Sequence, residues 1–456
     1  MKNYVLFLGS LLGLMACQSQ EPIRLQVGKN ATSIDTLYLS ESITERAISA
    51  LALTPVGEEQ SIETDYPTTG LLQTKNGEKT YLVTLTPGKR SAISIAADST
   101  LQSDSKADSL LNYLWKSSNN FIAENGVFIF NTDQLDSILL LFDGFRKDRQ
   151  AIIDTHKASL VPAELAILHY QNEARVYSFL FYFGRLAQQL PPGDPFFKFI
   201  AEIDAENPAA KTLPHNILYK YEINYLQKRD TLESIAHFLD YIAEQTESED
   251  LSHFYRAIYL KELMESPSYW SKHTSLFDVT VLQAALTAEE DNPYFYLLAS
   301  SSSAYFASQQ GELAYDFEAI GLDSSRIRLS DLKGKLVFID NWATWCGPCL
   351  AHRPKVLDLA TKYQDDARIQ FLMISLDARR KRWENFLGKA ENPSRADQDV
   401  IIENGMQTEY GNRFNIRFIP KYVLIDEEGK IINADLPEPG VGLERIIEAE
   451  LSKRNE

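Results

Sequence analysis

The order of apolar and polar positions divides the chain into three stretches. From Ile23 to about Leu101 the apolar residues come in short runs or alternate with polar ones. Thr36-Leu37-Tyr38-Leu39 is a short run, while Tyr81-Leu82-Val83-Thr84-Leu85 and Ala92-Ile93-Ser94-Ile95 alternate as half-buried strands do. Asn76-Gly77 and Pro87-Gly88 supply turns between them. This pattern predicts a small β-rich domain over residues 23–102, a sandwich or half-sandwich. Near Ser103 the spacing changes. Leu135, Ile138, Leu139 and Phe142 recur at i, i+3, i+4 and i+7, and Leu232, Ile235, Leu239 and Ile242 repeat the rhythm, with Asp230 and Glu233 marking a helix start. Proline clusters at Pro191-Pro192, Pro195, Pro208 and Pro214 break the region into a series of antiparallel helices over residues 103–308. Tyr177, Phe179, Phe181, Tyr182 and Phe183 read as core of that series.

From Gly311 to the end the pattern alternates between types. Strands are predicted at Tyr315-Asp316-Phe317, Ser325 to Leu329, Leu336 to Asn341 and Ile369 to Leu376. Helices are predicted from Pro348 to about Tyr363 and from Arg380 to about Leu387. An irregular insert follows to about Asn404, then a helix to about Arg413. A hairpin closes on Asp426-Glu427-Glu428-Gly429, and a last helix begins near Val441. Strand, helix, strand, then hairpin and helix is an α/β layer arrangement. The predicted fold class is therefore multi-domain: β-rich, then helical, then α/β over residues 311–456.

Composition narrows the partners. The 456 residues carry a formal net charge of -18, which excludes a nucleic-acid partner or a basic lipid-binding patch as the expected role. The three cysteines are Cys17, Cys346 and Cys349. Residues 1–16 read as an export signal: Lys2, a mostly apolar run from Tyr4 to Met15 too short to span a bilayer, then Leu14-Met15-Ala16-Cys17. That end resembles a bacterial lipobox, in which Cys17 is lipidated, and residues 17–22 read as a short tether. The expectation is a lipid-anchored protein of the cell envelope with its C-terminal domain in the periplasm. With Cys17 so assigned, no cysteine is left for a structural disulfide.

Cys346 and Cys349 stand in Trp345-Cys346-Gly347-Pro348-Cys349, directly after the buried run Leu336-Val337-Phe338-Ile339. A dithiol at the start of a helix faces unpaired N–H groups and the positive end of the helix dipole, which stabilise a thiolate. Thiolate is the species that exchanges with disulfides. Half a zinc site would need a second cysteine pair, and none exists. No metal is expected, and no cofactor beyond a redox-active Cys346–Cys349 disulfide.

The run Leu332-Lys333-Gly334-Lys335-Leu336-Val337-Phe338-Ile339-Asp340-Asn341-Trp342-Ala343-Thr344-Trp345-Cys346-Gly347-Pro348-Cys349 resembles thioredoxin, and more closely the membrane-tethered TlpA/ResA thioredoxin-like group. Ala314-Tyr315-Asp316-Phe317, the Ser330-to-Lys335 lead-in and Phe418-Ile419-Pro420 followed by Ile425-Asp426 match the same group. The resemblance covers about the last third of the chain. It implies that Cys346 is the attacking nucleophile, with its sulfur outward, and that Cys349 is the buried resolving thiol. Asp340 becomes the base for Cys349, its pKa raised by burial without a cationic partner. Pro420 takes the place of a cis-proline facing the dithiol, so that the Ile419 main chain can pair with an extended substrate. Trp345, Gly347, Pro348 and Ile419 form the docking surface. Trp342 packs beneath, and Pro354 kinks the dithiol helix.

Many members of the group carry Glu three residues after the second cysteine; here the residue is His352, a candidate modulator of the thiolate. Arg353 beside it reads as ordinary surface. The implied activity is reduction or isomerisation of disulfides in exported client proteins, with electrons from a membrane donor. The Gly-Pro spacer, shared with thioredoxin at about -270 mV, favours a reductant. The alternatives are an oxidase of the same fold, or a partner-binding envelope lipoprotein in which this domain is accessory.

Overall fold

The structure is a computed structural model, and it describes residues 23–29, 36–41, 47–52, 58–62, 67–74, 80–96, 100–229, 231–266, 279–389 and 398–453. The export signal, Cys17, the Asn76-Gly77 turn and Asp230 lie outside these residues.

Strands β1 (Ile23–Lys29), β2 (Thr36–Glu41), β3 (Ala47–Ala52), β4 (Glu58–Ile62), β5 (Thr68–Thr74), β6 (Thr80–Leu85), β7 (Arg90–Ile95) and β8 (Leu101–Ser103) form two four-stranded sheets, ordered β4-β1-β7-β8 and β3-β2-β5-β6. Leu25 and Ile93 from the first sheet and Leu37, Leu39, Leu72 and Val83 from the second bury into one cluster. Alternation along β7, with Ser91, Ile93 and Ile95 buried between more open neighbours, is what makes such a face.

Thirteen helical segments, short ones included, follow among the described residues, beginning with α1 (Lys106–Asn131), α2 (Leu135–Thr155) and α3 (Pro162–Phe181). The two parts share a buried joint. Asp108 on α1 accepts hydrogen bonds from the Thr84 amide (2.7 Å), the Thr84 hydroxyl (2.8 Å) and the Ser103 hydroxyl (2.6 Å). Asn112 bonds both the N–H and the carbonyl of Leu82, at 3.1 and 2.7 Å. Around them Leu82 joins Leu110, Leu111 and Leu114 in one apolar cluster.

Next come α4 (His215–Leu226), α5 (Ile235–Gln245), α6 (Glu249–Glu265), α7 (Val279–Ala288) and α8 (Ala299–Ala307). α5 starts later than Asp230 and Glu233 suggest, because the Ser234 hydroxyl accepts from the His237 amide and caps it. Of the aromatic run, Tyr177, Phe181 and Phe183 are buried and Phe179 packs against the same core, but Tyr182 is half exposed.

The C-terminal part is a seven-stranded sheet ordered β10-β9-β13-β12-β11-β14-β15. Its strands are β9 (Glu318–Gly321), β10 (Arg326–Arg328), β11 (Leu336–Trp342), β12 (Ile369–Ser375), β13 (Asp399–Ile401), β14 (Lys421–Ile425) and β15 (Ile431–Asn433). Central β11 runs parallel to β12 and antiparallel to β14. Helices α9 (Gly347–Lys362), α10 (Arg380–Leu387), α11 (Glu409–Arg413) and α12 (Val441–Ser452) complete it.

Two sequence expectations change. Tyr315-Asp316-Phe317 is not a strand: the Asp316 carboxylate takes the Ser330 amide and the chain turns, Phe317 N–H to Tyr315 carbonyl, before β9 begins. The insert before Asn404 holds β13, which pairs with β12 and β9. Among the described residues no helix is long and apolar enough to cross a membrane.

Candidate functional site: the dithiol at the end of the central strand

β11 is buried at every residue, so its period of two sends alternate side chains to two different cores. Val337 and Ile339 enter one, whereas Leu336, Phe338 and Trp342 enter the core that also holds Cys346 and Cys349. Asp340 falls in the second set. The strand thus places a carboxyl group under the dithiol helix.

The turn from β11 into α9 is held by an acid that sequence reasoning did not single out. Asp377, fully buried just beyond β12, accepts from the Thr344 amide (2.9 Å), the Thr344 hydroxyl (2.7 Å) and the Ser375 hydroxyl (2.9 Å). Its signal was an acid directly after an apolar run. Cys346 then caps α9: the Cys349 amide donates to its sulfur at 3.1 Å. Pro348 occupies the first turn, where a missing N–H costs nothing. The two cysteines form a disulfide with their Cα atoms 5.3 Å apart. Pro354 lies inside the helix.

Facing the disulfide is the Ile419–Pro420 peptide, which is cis. The Ile419 carbonyl oxygen lies 3.6 Å from the Cys346 sulfur. This loop is tied to β11, since Asn341 donates to the Lys421 carbonyl at 3.0 Å and accepts from the Tyr410 hydroxyl at 2.5 Å.

The expectation of an outward sulfur needs correction. Cys346 is only 5% exposed and Cys349 3%. In the disulfide the Cys346 sulfur turns toward its partner and is closed in by the Ile419 carbonyl and the Cys349 amide. The exposed rim is Trp345 (52%), Gly347, Pro348 and Phe418 (42%), and Trp342 is packed beneath.

Asp340 is buried, and its pKa is pushed up to about 7. Desolvation is the main cause, the nearby Asp399 charge adds to it, and Arg353 opposes both. A cation is therefore present, contrary to expectation. Arg353 is no surface residue either: it is 5% exposed, donates to Asp399 at 2.8 Å and lies 4.3 Å over the Trp342 ring. A guanidinium sandwiched between an indole face and a carboxylate can be buried at tolerable cost. His352 is mostly buried. Its Nδ1 is 3.0 Å from the Tyr422 hydroxyl, and its Nε2 lies 3.7 Å from Glu438. Tyr422 pairs across the sheet with Asp340. Burial pushes the Tyr422 hydroxyl pKa up, so it stays protonated at neutral pH.

A strand-end disulfide on a helix cap, a cis peptide against its sulfur and a buried carboxyl beneath it form one constellation. The sequence model of the Thioredoxin-like family matches residues 334–431. Thiol-disulfide oxidoreductase ResA of Bacillus cereus is 30% identical over 124 residues, which is 27% of this chain and 68% of that protein. The chain belongs to the ResA family of thiol-disulfide oxidoreductases. Thioredoxin-like protein YneN of Bacillus subtilis is 28% identical over 123 residues, 27% of this chain and 69% of the relative. The solved thioredoxin domain of a thiol-disulfide oxidoreductase from Bacteroides vulgatus is 26% identical, with a TM-score of 0.28, covering 31% of this chain and 96% of that one.

For a ResA-family dithiol the arrangement supplies three chemical needs. The helix N-terminus favours negative charge on Cys346 once the disulfide opens. A carboxyl with a pKa of about 7 exchanges protons readily near neutrality. The Ile419 main chain lies beside the Cys346 sulfur. Among the described residues, no group of three or more His, Cys, Asp or Glu is placed to hold a metal ion.

Proposed function

We propose that this protein is a lipid-anchored thiol–disulfide oxidoreductase of the cell envelope, which reduces or isomerises disulfides of exported proteins through Cys346 and Cys349. The observation that carries the reading is the Cys346–Cys349 disulfide on the helix cap against the Ile419–Pro420 cis peptide, with Asp340 buried beneath it. The name and matched length of the ResA relative support the activity. The Leu14-Met15-Ala16-Cys17 run supports the anchor and the envelope address.

The cycle balances without a further cofactor. The Cys346 thiolate attacks a client disulfide; the client S–S bond breaks, a Cys346–client bond forms, and one client sulfur leaves and takes up a proton. Cys349 then gives its proton to the Asp340 carboxylate, directly or through a water, and attacks the Cys346 sulfur. The mixed disulfide breaks, the second client thiolate leaves, and Cys346–Cys349 closes. The client gains two electrons and the protein loses two. A donor dithiol in the membrane restores the reduced pair by the same exchange in reverse.

Trapping tests the proposal. A Cys349→Ser variant of the full chain, expressed in a bacterial envelope, is expected to accumulate mixed disulfides with exported proteins that dithiothreitol releases, and Cys346→Ser is expected to accumulate none. Failure of the Cys349→Ser protein to hold any client through Cys346 would refute the reading.

A further inference from the structure

The helical part reaches the dithiol domain at one point that bears on the site. Asn415 donates to the Met264 carbonyl at the end of α6, a buried bond of 2.7 Å. Beside it opens a cleft of about 840 Å³. One wall comes from the helical part, with Glu265, Tyr296 and Ser300; the other comes from the dithiol domain, with Asn412, Arg417 and Phe418. That size suits a specific binding site. The second wall runs straight into the catalytic loop: Phe418 is followed by Ile419, whose carbonyl touches the Cys346 sulfur.

The lining carries chemistry of its own. Arg417 lies 3.8 Å from Glu265, yet its Nε and Nη2 are buried with no hydrogen-bond acceptor among the described residues. Glu265 is already engaged by the Ser301 hydroxyl (2.6 Å) and by Lys261 (2.5 Å). Buried guanidinium N–H groups without acceptors are costly and call for one. Tyr296 and Phe418, 40% and 42% exposed, add two aromatic faces to a mouth whose lining mixes polar residues with Leu297, Met406 and Ile416.

We infer that this cleft is a client-selection site. It takes an extended polypeptide segment on one side of the client cysteine, whose main chain passes the Arg417 guanidinium and whose apolar side chain rests on Tyr296 and Phe418. The inference rests on the oxidoreductase reading, because the cleft matters only if a client sulfur reaches Cys346. It gives the helical part a share in the specificity of a dithiol that is otherwise complete.

The test uses the full chain, reduced, and two oxidants: hydroxyethyl disulfide, which needs only the sulfur, and a ten-residue peptide with a central cysteine in mixed disulfide with glutathione and aromatic neighbours. The readout is the ratio of the two second-order rate constants. Ser300 is exposed on α8, so Ser300→Trp fills the cleft without disturbing a core; Arg417→Gln and Tyr296→Ala remove contacts without filling it. The peptide-to-small-disulfide ratio is expected to fall about tenfold in Ser300→Trp and several-fold in the other two. A ratio unchanged in all three variants overturns the cleft. A wild-type chain that reacts with neither oxidant overturns the oxidoreductase reading itself, and the cleft with it.

Discussion

Replacing Asp340 with Asn tests the buried carboxyl through its effect on folding. In the unfolded chain this acid ionises near 3.8, and in the folded protein near 7. Below about pH 4 it is protonated in both states and costs nothing. Between about pH 4 and 7 the unfolded chain releases a proton that the folded one keeps, so stability falls as pH rises; above about 7 the penalty is constant. At about 1.4 kcal/mol per pH unit, the interval amounts to about 4 kcal/mol at pH 8 and about 2 kcal/mol at pH 5. Asn cannot ionise and avoids the penalty, whatever constant cost its amide brings. Thermal unfolding of the oxidised full-length protein by calorimetry, following the transition that exposes the buried Trp342 and Trp383, is the assay. Between pH 5 and pH 8 the wild type is expected to lose about 2–3 kcal/mol relative to Asp340→Asn. Parallel pH dependences in the two proteins would show that Asp340 ionises at its ordinary pH, and the argument for a proton acceptor under Cys349 would fail with it.

Arg353→Met leaves Asp399 buried without its guanidinium, and breaking such a pair costs about 3–5 kcal/mol. The melting temperature is expected to drop, and the pH inflection of mixed-disulfide resolution to move upward, because Arg353 favours the Asp340 carboxylate. Asp377→Asn weakens the hold on Thr344 by about 1–3 kcal/mol and is expected to slow exchange at Cys346, measured with a small disulfide under stopped flow. Asn415→Ala frees the Met264 carbonyl, and hydrogen exchange at residues 412–418 is expected to quicken while that of α9 does not change.

The elements that carry the chemistry were legible because their signals are local. An unbroken apolar run bounded by a turn gave β11, and the cysteine spacing gave the start of α9 to within a residue. Alternation gave β7; β6, expected to be half-buried, is buried at every residue after Thr80, because α1 covers its other face through Asp108 and Asn112. What escaped depends on distant partners. Arg353 reads as solvated because a cation on a helix usually is, and only the fold brings Asp399 and the Trp342 ring to it. β13 is three residues long in an irregular stretch, too short for any period to show. Tyr315-Asp316-Phe317 has strand-like composition, yet its Asp316 carboxylate accepts from the Ser330 amide and the segment joins no strand ladder. The enclosure of Cys346 could not be read either, since it comes from a loop more than seventy residues onward.

The Asp108 joint sets a rule for dissecting this molecule. A fragment beginning at residue 103 would keep the acid and lose the Thr84 donors that quench it; a fragment ending at 102 would strip Leu82 of its leucine neighbours and of the Asn112 amide. Each piece would inherit a sticky scar where the other had been. The place where the periodicity changes is thus a poor place for scissors, and recombinant pieces meant to stay soluble should carry β1–β8 and α1 together.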